Sequence, residues 1–264
     1  MTTIVGQPGL SSDHRGRVRP WWGIGDALMV IPILIVVSLL AAVAVILLGD
    51  DTTGGEDADL PLWAIAVFTL VQQCALLLWP FWVSRRKGLG PAADWGFDFK
   101  LEDLGIGLGV AMIAMFSAGI AAAIAAAIVG LEEESDGENL QLLTDAEGSP
   151  WLWTLIYTVV IVAPVAEEVL FRGLILQAFK KRFGTVIAVI VSIMAFAPLH
   201  VADGGFFSGG QVVLLAAIGT LALVFAITAL VTERLGASII AHMIVNAVGV
   251  ITALGYLDRF IDRF

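Results

Sequence analysis

The apolar positions of this chain come as long runs. They lack both the strict alternation of a half-buried strand and the single stripe of a surface helix. Runs of about 20 residues fit the hydrocarbon core of a bilayer, about 30 Å thick at 1.5 Å per helical residue. The pattern predicts seven membrane-spanning helices, at about 26–48, 61–83, 105–130, 151–183, 184–201, 211–231 and 236–256. The expected fold is an all-α polytopic membrane protein: a bundle of about seven transmembrane helices over residues 21–256, enclosing a polar intramembrane cavity.

Between the runs lie polar segments: a basic N-terminal tail (1–20), acidic loops at 50–59 and 131–149, a Gly-rich turn at 203–210 and a short tail at 257–264. Trp21 and Trp22 suit an aromatic belt at the membrane surface. Residues 92–104 mix Trp95, Phe97 and Phe99 with charges, as an interfacial segment does. The third run is rich in Ala and Gly, which predicts close packing within the bundle.

Composition sharpens this reading. The 264 residues are 59% hydrophobic and 14% charged, with a mean hydropathy of +0.93. An ordinary soluble domain has about 45–50% apolar and 25% charged residues, so that class is excluded. The net charge of −10 gathers in the acidic loops, which speaks of topology and against a nucleic-acid partner. Basic clusters at 15–19, 85–87, 180–182 and 234 alternate with acidic or neutral loops. The positive-inside rule then puts the N-terminus in the cytoplasm. Seven spans put the C-terminus outside, against which Arg259 and Arg263 weigh mildly. The apolar run at 27–48 is longer than a cleaved signal's core and reads as an anchor. Cys74 stands alone, so no disulfide forms within the chain. The Ala-, Val- and Gly-rich, Lys-poor composition points to a bacterial cell membrane.

The fourth run carries chemistry that a simple anchor does not need: Pro164, Glu167, Glu168 and Arg172. Each ionisable group inside a span costs about 2.5–3.5 kcal/mol on insertion scales, so such groups mark function by default. His200 ends the fifth run, and His242 and Asn246 lie in the seventh. Glu168 and Arg172 are four residues apart and can pair on one helix face, while Glu167 is turned about 100° away. His242 and Asn246 share a face in the same way. A carboxylate with a histidine can activate a water as general base, and a histidine with an amide can donate to an oxyanion. The competing use is a divalent metal, zinc being the natural one, on Glu167, His200 and His242. The residues alone leave both uses open. Pro164 and Pro198 are expected to loosen their helices and free backbone carbonyls.

These residues resemble the CAAX protease and bacteriocin-processing family (CPBP, or Abi) of intramembrane proteases. Its three motifs stand here as Glu167-Glu168-Val169-Leu170-Phe171-Arg172, Phe196-Ala197-Pro198-Leu199-His200 and His242-Met243-Ile244-Val245-Asn246. The resemblance implies a catalytic core over 150–250 and an endopeptidase acting on a membrane protein or peptide. It implies that Glu167 and His200 activate water, that His242 and Asn246 hold the oxyanion, and that Glu168 is tied to Arg172. The chain departs from the family at Phe225-Ala226-Ile227-Thr228, where Phe-x-x-Gly is expected. Two other classes fit the intramembrane charges: a proton-coupled transporter, which would show substrate flux and no cleavage, and a non-catalytic scaffold or immunity protein, which would tolerate Glu167→Gln. No oligomeric state is legible.

Overall fold

The computed structural model describes residues 20–48, 60–130, 138–200 and 208–255. The basic residues of the N-terminal tail, His14, the loop 50–59, Glu132 to Glu134, residues 203–207 of the Gly-rich turn, and Arg259 and Arg263 lie outside the described residues.

The described chain is helical. We number its helices α1 (Ile24–Leu47), α2 (Leu62–Lys87), α3 (Pro91–Trp95), α4 (Glu102–Val129), α5 (Glu138–Asp145), α6 (151–183), α7 (Thr185–His200), α8 (Gly209–Thr232) and α9 (Gly236–Ala253). Five of these (α1, α2, α4, α8 and α9) are long and apolar enough to cross a membrane. With α6 and the shorter α7 they form the polytopic bundle, and the chain is an integral membrane protein.

Local chemistry explains where the helices stop. Arg85, Arg86 and Lys87 close α2, and Lys180, Lys181 and Arg182 close α6, each set complementing the negative end of its helix dipole. Gly130 ends α4 in the left-handed conformation. The Ser208 hydroxyl caps α8 by accepting from the Gln211 N–H at 3.4 Å. Pro198 tightens the last turn of α7 into a 3₁₀ helix, Ala197–His200.

The basic clusters at 85–87, 180–182 and 234 gather at one end. The Trp21 N–H donates to the Lys87 carbonyl, Lys181 lies over the Trp22 ring, and Arg234 pairs with Glu102 and Asp103 at the start of α4. The other end is closed by Leu62, Leu143, Leu152 and Leu254. Trp22 lies at the basic end but is not open to lipid. It is buried, edge-on to Trp95 at 6.3 Å, because the segment after α2 folds back over the end of α6. Gly96 lets that segment turn: its φ is +65°, and a Cβ would stand 2.1 Å from the Glu233 carbonyl.

The small-residue run of α4 packs as expected on one side. Ala111, Ala114, Ala118, Ala122 and Ala125 are buried, and a Cβ at Gly107 would lie 2.6 Å from Ile240 of α9. The opposite face, with Phe116, Ile124 and Ile128, is exposed.

Candidate active site

The buried centre of the bundle is α6. Every residue from 166 to 176 is buried, including Glu167, Glu168 and Arg172. The helix is not regular. Its turns widen to π geometry over Thr158–Val162 and Glu168–Ile175, on either side of Ala163–Glu167. Such π turns inside an α-helix occur often at functional sites.

Glu168 Oε1 lies 3.0 Å from Arg172 Nη1, the pair expected from the spacing of four. The same oxygen faces His242 Nδ1 at 3.2 Å. Arg172 Nη2 donates to the Ala222 carbonyl of α8 at 3.1 Å. Its guanidinium also lies over the rings of Phe196 (4.7 Å) and Phe225 (5.7 Å). The pair is therefore anchored in the walls of the bundle. Breaking it would leave an uncompensated buried charge.

Glu167, one residue earlier, reaches the other side of the same imidazole. Its Oε2 stands 3.7 Å from His242 Nε2. The two glutamates thus do not part company as the 100° rotation suggested; they face the two nitrogens of one ring. A ring protonated at both nitrogens can donate on both sides, and that form offers an N–H to an oxyanion. Phe225 stacks on the ring at 5.0 Å and 28°. The Thr228 that replaces glycine is buried with its hydroxyl bonded to the Val224 carbonyl of its own helix at 2.9 Å, so it presents no unpaired group.

Gln73 of α2 donates its amide to Glu167 Oε1 at 3.3 Å. It belongs to the half of the chain that the three motifs leave untouched, and no motif points to it. Its signal is the pair of amides Gln72 and Gln73 in the middle of a mostly apolar run, costly groups that have to find partners.

Asn246 is half-buried, and its amide donates to the Val159 carbonyl of α6 at 2.8 Å. His200 is half-buried and turns to its own helix, with Nδ1 3.3 Å from the Phe196 carbonyl. Phe196 connects it to the rest: its ring is 4.8 Å from His200 and 6.0 Å from His242.

A catalytic zinc needs three protein donors around one point. Glu167 and His242 approach each other, but among the described residues no three His, Cys, Asp or Glu side chains gather closely enough to hold an ion. The arrangement does not fit the metal set Glu167, His200 and His242, and no step below runs through a metal.

The depth of the site follows from its neighbours. Gln177 and Lys180 of α6 line the same surface hollow as Glu233 and Leu235. His242 lies about 10 Å further along α9 than Leu235. The cluster is therefore below the surface, nearer the basic end of the bundle.

Fold and site define a class: a polytopic helical membrane protein with a carboxylate–imidazole cluster enclosed by its helices. Comparison with known proteins narrows it. Residues 149–248 match the model of the Rce1-like family, type II CAAX prenyl endopeptidase. The matched segment holds all three motifs, Glu167 to Arg172, Phe196 to His200 and His242 to Asn246, so the likeness covers the residues of the cluster. YdiL of Bacillus subtilis (strain 168), whose name describes a candidate membrane peptidase, is 30% identical over 151 residues. That match spans 57% of this chain and 57% of the length of YdiL. No solved structure matches the chain.

Proposed function

We propose that this chain is an intramembrane endopeptidase that hydrolyses peptide bonds of membrane-associated proteins or peptides. The observation that carries the reading is the enclosed relay from Arg172 through Glu168 and His242 to Glu167. A span under no demand but anchoring would not keep four such groups buried together. The family match over 149–248 and the likeness to YdiL support peptidase chemistry.

In the proposed reaction Glu167 takes a proton from water as the water oxygen adds to the scissile carbonyl carbon. His200, across the Phe196 ring from His242, is the second group offered to that water. His242, protonated at Nε2, and the Asn246 amide receive the oxyanion. Collapse breaks the C–N bond, and Glu167 returns its proton to the leaving amine. Glu168 accepts from the Nδ1–H of His242 and is itself fixed by Arg172, so the ring keeps its orientation. Gln73 holds Glu167 Oε1, leaving Oε2 toward the ring.

The proposed setting is a bacterial cytoplasmic membrane with the N-terminus inside, supported by the basic residues shared by one end of the bundle. Prenylated CAAX substrates are not carried over from the family's name.

Wild type and Glu167→Gln, expressed at equal levels in otherwise identical membranes, test the reading by mass spectrometry of membrane peptides. Peptides with new termini are expected with wild type alone. Identical profiles from two folded proteins would sink it. A repeat with a chelator tests for a metal.

A further inference from the structure

Asn246 has a second partner in the chain's own backbone, and the reason lies in Pro164. In the π turn Thr158–Val162 the Ala163 N–H goes to the Thr158 carbonyl, five residues back. By the same step the next donor, residue 164, would serve the Val159 carbonyl. Residue 164 is proline and has no N–H. Val159 is thereby left without a helical donor at either spacing: Ala163, four residues on, is engaged by Thr158, and Pro164, five residues on, has nothing to donate. A bare carbonyl away from water is costly. The Asn246 amide from α9 lies 2.8 Å from it.

We propose that the Asn246 side chain stands in for the missing N–H of Pro164 and so clamps α9 to α6 at the turn that sets the position of Glu167. Glu167 follows Pro164 by three residues and His242 precedes Asn246 by four, so each lies one turn from the clamp on its own helix. The clamp fixes the register in which Glu167 Oε2 meets His242 Nε2. Asn246 is here a positioning residue. A carboxamide carries two N–H groups, so the clamp leaves one for an oxyanion. The clamp does not depend on the peptidase reading; only its consequence for cleavage rests on that reading.

The test is a double-mutant cycle on the full chain in lipid nanodiscs: wild type, Asn246→Leu, Pro164→Ala and the double variant. The Pro164→Ala change restores a backbone N–H at that position, and Val159 then has a donor in either helical register. Asn246→Leu is expected to lower the unfolding temperature by about 2–4 °C, the size of about one hydrogen bond in a chain of this length. In the Pro164→Ala background that loss should fall to less than half. The second readout is the imidazole 15N spectrum, in which three histidines are distinguishable by substitution. The His242 signals should move in Asn246→Leu and return in the double variant, while those of His200 stay in place. Equal losses of stability in both backgrounds, or a His242 spectrum unmoved by Asn246→Leu, would overturn the clamp. If Asn246→Leu does not fold, recovery in the double variant supports the clamp and failure to recover overturns it. Absence of any cleavage by wild type would sink the peptidase reading and leave this cycle readable.

Discussion

Helices α1 and α6 look alike as apolar runs and differ in what surrounds them. The run of α1 has a mean hydropathy of 3.2, and 6% of its window is buried within the protein. In α6 every side chain from 166 to 176 is enclosed, and three of them are ionisable. In water this contrast would be strange, because the more apolar helix is the more exposed. In a bilayer lipid tails are as apolar as leucine, so α1 gains little by leaving them. A helix needs the interior of the bundle when it carries groups that lipid cannot satisfy. Burial therefore tracks polarity here, and the packed centre is built around charge.

The sharpest way to break the contrast is to remove the cation of α6. Arg172→Leu leaves Glu168 buried with only the His242 ring and the Ser238 hydroxyl near its carboxylate among the described residues. It is expected to cost about 3–5 kcal/mol, enough to lose most of the folded protein. Glu168→Gln in the same chain removes the stranded charge and should restore part of the loss. Thermal unfolding in lipid nanodiscs reads both. A stable Arg172→Leu single variant would mean that Glu168 takes its partners elsewhere.

Gln73 sets the next scale. Gln73→Leu removes one neutral donor from Glu167 and should lower kcat about 10-fold, equivalent to about 1.4 kcal/mol, with KM and unfolding temperature little changed. A rise in KM with kcat unchanged would assign Gln73 to substrate binding.

The sequence makes some of this legible and hides the rest for identifiable reasons. Periodicity and charge locate the spans, and a spacing of four pairs Glu168 with Arg172 because that contact is local to one helix. Pro164 announces that carbonyls near it are freed; the particular carbonyl that Asn246 meets depends on the π turn. The rotation between Glu167 and Glu168 is correct as helix geometry, yet both carboxylates reach His242, because one ring offers nitrogens on two sides. Gln73 comes from a helix 94 residues away in sequence, a separation that no local pattern spans. Trp22 reads as an interfacial residue because tryptophan is common there; that Trp95 covers it depends on the fold-back at Gly96.

The smallest effect belongs to α1, and it sharpens the comparison from the other side. Leu40 is 65% exposed, at the edge of the apolar groove between α1 and α2. In a soluble core, Leu→Ala costs about 2–5 kcal/mol through lost transfer energy and a cavity. Neither term applies in full to a side chain whose neighbours are lipid tails, since the tails close over the gap and the transfer is from one apolar medium to another. Leu40→Ala is therefore expected to change unfolding free energy by less than about 0.5 kcal/mol, the size of an ordinary surface substitution. Steric-trap or thermal measurements in the same nanodiscs would show it. A loss above about 2 kcal/mol, the range of a packed interior, would mean that the exposed face of α1 is covered by protein in the membrane, and that α1 is a second interface and not an anchor.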